Sequence, residues 1–272
     1  MSVFRFKRFE VTNDRSAMKV NTDGVLLGAA MTIKSSDRRL LDVGTGTGTI
    51  ALMAAQRLFS SVQEDGLAGL RTETCSDVTA EGSADLKITA IDIDEVSVDE
   101  AAQNFRNSPW TDILEAGHSS LEDFAEKLKQ QENLSGQPMS RFDLIFSNPP
   151  YFDDSLLAPE QRRSNARHTS TGLSYRELLE FAAGWLSEGG RISMVLPAET
   201  EADLTRHARM NGLHLFRVLR VRTVPRKAPS RIIAEFSRKR CEYPEDEMLT
   251  IQNEGRYSEE YLSLTRDFYL FA

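Results

Sequence analysis

Two short runs in this sequence combine residue types that can bind and activate a small molecule. Asp42-Val43-Gly44-Thr45-Gly46-Thr47-Gly48 closes an apolar stretch and opens an amphipathic one. Glycines let the backbone turn tightly and approach a ligand that a side chain would push away. The free N–H groups at the helix start behind them suit a carboxylate or phosphate. The spacing is G-x-G-x-G behind an acid. It is neither the G-x-G-x-x-G dinucleotide fingerprint nor a P-loop, which needs Lys-Ser/Thr. A second acid, Asp92, follows the next apolar run. There a carboxylate can accept hydrogen bonds from both hydroxyls of a ribose, at about 1.5–3 kcal/mol each. Asp94 competes for that role but stands where the following helix begins, the position of a cap. Alone, such a glycine run is only a turn. With its two acids, the set Asp42, Gly44, Gly46, Gly48 and Asp92 is expected to bind a nucleoside cofactor.

The second run is Ser147-Asn148-Pro149-Pro150-Tyr151-Phe152. Two successive prolines remove two N–H donors and fix φ, which leaves a rigid loop with outward carbonyls. Asn148 adds a side-chain acceptor that cannot ionise. Together they can accept both protons of a planar NH₂ group, while Tyr151 offers a flat face to a base. The glycine loop with its acids resembles the S-adenosylmethionine (SAM) loop of Rossmann-like methyltransferases, in which the second-strand acid holds the ribose. The proline loop resembles the (Asn/Asp)-Pro-Pro-(Tyr/Phe) signature of amino methyltransferases acting on adenine, cytosine, guanine or glutamine nitrogens. An exocyclic amine is a poor nucleophile because its lone pair is delocalised. Accepting both N–H bonds raises its electron density and stabilises the cationic transition state, without a strong base. Asn148, Pro149 and Tyr151 are therefore the expected catalytic residues. The motif alone is also a plausible turn, and it leaves adenine, guanine and a protein glutamine open as acceptors.

Residues 40–236 alternate short apolar runs with amphipathic stretches, as βα units of a parallel sheet do. Strands are expected at 40–43, 88–91, 112–116, 142–146 and 191–196. Helices are expected at 49–59, at 95–106 with Val96, Val98 and Phe105 inward, at 174–186 and at 199–211. Glu188-Gly189-Gly190 would link the third of these helices to its strand. Residues 214–221 and 231–236 have no helix between them and should pair antiparallel. The expected fold is α/β: a Rossmann-like methyltransferase with a seven-stranded, mostly parallel sheet and an antiparallel last strand. Residues 39–237 form the core, 1–38 and 238–272 pack on it, and the acidic, Ser/Gly-rich segment 60–86 reads as a mobile insert. Residues 132–140 read as a shorter linker.

The chain has 272 residues and a formal charge of −8. No run reaches the ~18–20 apolar residues of a bilayer span. The N-terminus has no secretory h-region, and two cysteines without metal spacing fit a reducing, cytoplasmic setting. A metal site is not expected. Net acidity hides its distribution: residues 217–240 carry nine basic residues against Glu235 alone. Residues 4–19 and 160–176 are also basic, as a footprint for phosphates would be.

Further motifs resemble the bacterial tRNA1(Val) adenine-37 N6-methyltransferase family. They are Phe4-Arg5-Phe6-Lys7, the run from Met18 to Gly28, Ser147 to Tyr151, the Arg-x-x-x-Ala-Arg-His-Thr run at 163–169, and the aromatic end from Tyr257 to Phe271. The resemblance implies methyl transfer from SAM to N6 of the adenine 3′ of the anticodon in a valine tRNA. It places Thr22 and Asp23 beside the methionine end of SAM. Arg162, Arg163, Arg167, His168, Arg226 and Lys227 are expected to contact the RNA. The 60–86 segment departs from the family pattern. So does the region near Glu115, where an acid expected by the cofactor adenine is replaced and Ser119, or else Ser120, would serve. Alternatives are a protein glutamine N5-methyltransferase, a ribosomal RNA adenine methyltransferase, and a SAM-responsive RNA-binding protein without turnover.

Overall fold

The structure is a computed structural model that describes residues 2–16, 19–67, 86–150 and 173–272. A short hairpin, β1 (Val3–Arg5) with β2 (Glu10–Thr12), leads to α1 (Thr22–Ala30). The βα units follow: β3 (Arg39–Val43), α2 (Thr49–Leu67), β4 (Lys87–Asp92), α3 (Glu95–Arg106), β5 (Leu114–His118), α4 (Leu121–Ser135) and β6 (Phe142–Ser147). Then come α5 (Tyr175–Trp185), β7 (Leu186–Pro197), α6 (Glu201–Met210), β8 (His214–Arg222) and β9 (Arg231–Ser237). The tail supplies β10 (Glu245–Thr250), a small hairpin of β11 (Gln252–Asn253) and β12 (Arg256–Tyr257), and α7 (Glu259–Thr265).

The main sheet has the order β10-β8-β9-β7-β6-β3-β4-β5. β9 is antiparallel to both β7 and β8, and the other pairings are parallel. The seven-stranded arrangement is present, and the tail adds β10 as an eighth, edge strand. Side chains alternate across the sheet. Leu40 joins a core with α1, α2 and α3, whereas Leu41 and Val43 join one with α4, α5 and α6. Both faces are thus covered, which is why the central strands are nearly all apolar.

Several boundaries differ from the sequence reading. Val96 is 45% exposed, while Val98 and Phe105 are buried. The inward face of α3 is instead completed by polar residues. Helix α2 runs to Leu67, into the segment read as an insert; residues 68–85 lie outside the described residues. Helix α4 reaches Ser135 before Gly136, at φ +64°, ends it, so half of the expected linker is helical. Gly189 and Gly190 lie within β7 at an irregularity in its pairing with β6. A Cβ on Gly190 would stand 2.7 Å from the Phe142 carbonyl oxygen, so the close strand approach needs glycine there.

Helix α1 has no basic residue in its last turn. Arginines from three other elements take that role. Arg57 donates to the Gly28 and Met31 carbonyls at 3.1 and 2.7 Å, and Arg217 to that of Ala30 at 2.8 Å. Arg191 donates to that of Thr32 at 2.6 Å. The opposite end of α1, with Thr22 and Asp23, points to the carboxyl edge of the sheet.

Candidate active site

Chain order reverses between β3 and β6, so the switch point where open α/β sheets bind ligands lies at their carboxyl ends. The glycine loop leaves β3 there and the proline loop leaves β6. Ser147 Oγ, fully buried, donates to the Val43 carbonyl at 2.6 Å and joins the two loop origins directly.

Gly44, Gly46 and Gly48 all have positive φ, at +73°, +54° and +80°. At Gly48 a Cβ would also fall 2.5 Å from Phe105, so the third glycine serves close packing of loop on helix as well. The turn is fixed by Gly44 and Thr45 N–H groups on the Ile91 carbonyl, at 2.9 and 3.1 Å. Asp42 lies beneath it at 0% exposure. Thr45 Oγ1 donates to Asp42 Oδ2 at 2.8 Å, while Asp42 Oδ1 has no partner. Burial pushes the Asp42 carboxyl up to about 7, the nearby charge of Asp92 adds to this, and the Thr45 hydroxyl opposes it.

Asp92 ends β4 and reaches across to the loop. Its Oδ2 accepts the Gly46 N–H at 2.9 Å and its Oδ1 the Asp94 N–H at 3.0 Å. Each carboxylate oxygen keeps a lone pair for another donor. Asp94 caps α3, accepting from Ser97 N–H and Oγ at 3.1 and 2.6 Å. The competing acid is therefore occupied by the helix. At the end of β5, Ser120 caps α4 through the Asp123 N–H, whereas the Ser119 hydroxyl is buried without a partner. Of the two serines, Ser119 has its hydroxyl to offer.

Gly24 sets the first turn of α1 against Ile50, the second residue of α2, with a Cβ at Gly24 lying 3.6 Å from Ile50 Cγ1. The start of α1, which carries Thr22 and Asp23, is thus packed through Gly24 on the first turn of the helix that follows the glycine loop, and Asp23 pairs with Arg231 Nε at 2.9 Å. Asn148 and Pro149 are buried at the exit of β6. Tyr151, Arg162, Arg163, Arg167 and His168 lie outside the described residues.

The basic run 217–240 is not uniformly available. Arg217 pairs with Glu235 and Glu247 at 2.8 and 3.0 Å, and Arg220 with Glu201 and Asp246 at 2.5 and 2.9 Å. Two of these four acidic partners come from β10, which is remote in sequence but adjacent in the sheet. Arg226 and Lys227 are exposed in the turn between β8 and β9, on the same carboxyl edge as the two loops.

A cluster that no local motif announces anchors the start of α5. The Tyr175 hydroxyl and Arg176 Nη2 both donate to Asp203 on α6. These bonds, with Arg206, hold the Asp203 carboxyl well below the usual range. Among the described residues no group of His, Cys, Asp and Glu is arranged to hold a metal, and no helix is long and apolar enough to cross a membrane.

Positive-φ glycines, two strand-end acids and unpartnered buried oxygens on Asp42 and Ser119 fit a nucleoside bearing a charged tail. The RMKL-like methyltransferase domain model, UPF0020, matches residues 27–226. The fold resembles a solved protein from Agrobacterium tumefaciens described as a predicted O-methyltransferase. Its TM-score is 0.57 at 13% identity, over 90% of this chain and 96% of that one. A second likeness, at TM-score 0.50 and 13% identity, is to a Listeria monocytogenes chain assigned to the class I SAM-dependent methyltransferases; it covers 91% of this chain and 70% of that one. The molecule is a SAM-dependent methyltransferase of the Rossmann-like class. Relatives named tRNA1(Val) (adenine(37)-N6)-methyltransferase match nearly end to end. Those from Bacteroides fragilis and Mannheimia succiniciproducens are 39% and 34% identical, over 98% of this chain and 97% and 94% of theirs. The chain belongs to the tRNA1(Val) (adenine(37)-N6)-methyltransferase family.

Proposed function

We propose that the protein methylates N6 of adenine 37, beside the anticodon of a valine tRNA. The observation that carries this reading is the burial of Asn148 and Pro149 where β6 meets the glycine loop, in a chain related end to end to enzymes named for that reaction. SAM supplies a methyl group on a sulfonium centre. Asp92 would hold its ribose, Ser119 would serve its adenine, and Asp42, Thr22 and Asp23 would serve its methionine end. Asn148 Oδ1 and the Pro149 carbonyl accept the two N–H bonds of the target amine, fixing its lone pair toward the methyl. Tyr151 stacks on the base, which must leave its own stack to enter. When bound, SAM would give up the methyl as its S–CH3 bond breaks and the N–CH3 bond forms, leaving S-adenosylhomocysteine. The same two acceptors would stabilise the positive charge this places on nitrogen. The proton is released afterwards from an acidic ammonium-like nitrogen, so no strong base is needed.

Arg162, Arg163, Arg167, His168, Arg226 and Lys227 would bind the RNA around the pocket, and the compartment is the cytoplasm. Labelled SAM offered with total tRNA, ribosomal RNA and total protein in separate reactions tests the acceptor class. Label in tRNA alone is expected. Label in protein would replace this reading with the glutamine one, and label in ribosomal RNA with the other adenine one. Binding of SAM without S-adenosylhomocysteine formation would replace it with the non-enzymatic one.

A further inference from the structure

One stripe of α3 is polar and yet buried. Ser97, Glu100 and Asn104 are 3%, 0% and 1% exposed, and their i, i+3, i+7 spacing puts them on one face. They lie against residues 12–16. Asn104 Oδ1 accepts the Thr12 N–H at 2.8 Å, and its Nδ2 donates to the Thr12 and Thr47 carbonyls at 3.1 and 2.9 Å. Glu100 Oε1 accepts the N–H groups of Asp14 and Arg15 at 2.9 and 3.0 Å, and its Oε2 accepts that of Ser16 at 2.9 Å. Ser97 Oγ donates to Asp94 at 2.6 Å and also lies 2.9 Å from the Ser16 hydroxyl oxygen.

A fully buried carboxylate is costly unless hydrogen-bonded. Here it gathers three successive backbone N–H groups, the geometry of an anion-binding concavity filled from within the chain. The stripe also touches both halves of the cofactor site. Asn104 reaches the glycine loop at Thr47, and Ser97 reaches Asp92 through Asp94, whose N–H lies on Asp92 Oδ1. On the far side, Val20 N–H donates to Asn13 Oδ1 at 3.2 Å, and Asn21 caps α1 through the Gly24 N–H at 2.8 Å.

We infer that Glu100 is a positioning residue for cofactor binding. It fixes the bend at residues 14–16 and thereby the placement of Thr22 and Asp23 against the glycine loop, while touching neither SAM nor RNA itself. This rests on the assignment of Thr22 and Asp23 to the cofactor site.

The test compares Glu100→Gln, Ser16→Ala and Asp23→Asn in the full chain by steady-state kinetics, with melting recorded alongside. Glutamine keeps the size of the side chain but offers one acceptor oxygen and turns an NH₂ toward N–H groups. Glu100→Gln is expected to raise the KM for SAM on the order of tenfold, with kcat at saturating SAM and the KM for tRNA within about twofold. Ser16→Ala removes the hydroxyl contact with Ser97 while leaving the three backbone bonds to Glu100, and is expected to raise the KM for SAM about threefold. A purely structural role would lower the melting midpoint and leave the KM for SAM unchanged, which overturns the inference. Should Glu100→Gln not fold, Glu100→Asp, which keeps the charge but shortens the reach to the three N–H groups, replaces it, and an unchanged KM for SAM in that variant overturns the inference equally. Asp23→Asn separates the two layers. If it leaves the KM for SAM unchanged, the cofactor role of the α1 end fails, and the inference with it. If it raises that KM while Glu100→Gln and Ser16→Ala do not, the inference alone fails.

Discussion

The Ser147 hydroxyl donates to the Val43 carbonyl at 2.6 Å, so the strand that leads into the Asn148-Pro149-Pro150 loop is bonded to the strand that leads into the glycine loop. Methyl transfer needs donor and acceptor held in line, and small misplacements are expensive. Ser147→Ala removes a buried hydrogen bond to the Val43 carbonyl. The variant is expected to lose about 1–3 kcal/mol of stability and to lose kcat more than affinity for either substrate. Urea denaturation with steady-state kinetics checks this; a kcat equal to wild type would show that the bond only stabilises.

Asn148→Ala removes one of the two proposed amine acceptors. Turnover is expected to fall by roughly 10²–10³, as with loss of one oxyanion-type hydrogen bond, while SAM affinity by calorimetry stays within a few-fold. Near-normal turnover would remove Asn148 from the mechanism.

Gly48→Ala combines a left-handed φ with a Cβ 2.5 Å from a Phe105 ring carbon. The expected cost is about 2–4 kcal/mol from the two effects together, with SAM binding weakened as the loop shifts. Equilibrium unfolding and SAM titration measure both. A variant as stable as wild type would mean that the loop relaxes freely.

The Asp42 carboxyl ionises near 3.8 when unperturbed and only at about 7 when buried in the fold. The folded chain thus binds the extra proton between those values. Stability from this group is full below about pH 4 and declines as pH rises to 7, by on the order of 4 kcal/mol in total. Asp42→Asn abolishes the decline. In cofactor-free protein its melting midpoint should gain on wild type from pH 4 to 8; a pH-independent difference would contradict the buried, raised carboxyl.

Arg226 and Lys227 are an exposed basic pair on the carboxyl edge. RNA affinity should weaken with salt despite the net charge of −8. Replacing both with alanine should reduce the slope of log affinity against log salt by about 0.7–0.9 for each phosphate that they neutralise. An unchanged slope places the RNA elsewhere.

Local chemistry was legible in the sequence. The Asp42-to-Gly48 loop, the cap role of Asp94 and the Asn148-Pro149-Pro150 exit follow from neighbours in the chain. So does the antiparallel pairing of β8 with β9. What depends on distant partners was hidden. Residues 217–240 read as a strongly basic surface because Glu245, Asp246 and Glu247, which lie beside β8, are remote in sequence. The same acidic run concealed an edge strand. Glu100 carried no signal, since its partners are backbone N–H groups, which look alike in every sequence. Val96 was misplaced for a related reason: the buried face of α3 follows its polar stripe, where hydrophobicity is no guide.

The most direct measurement is oligonucleotide mass spectrometry of a valine tRNA transcript incubated with the purified protein and SAM, followed by nucleoside analysis of the modified fragment. The account predicts one added methyl group on the anticodon-loop fragment carrying adenine 37, identified as N6-methyladenosine and absent with Asn148→Ala. A methyl group elsewhere in the tRNA, or an unmodified transcript in the presence of active SAM turnover on another acceptor, would contradict it.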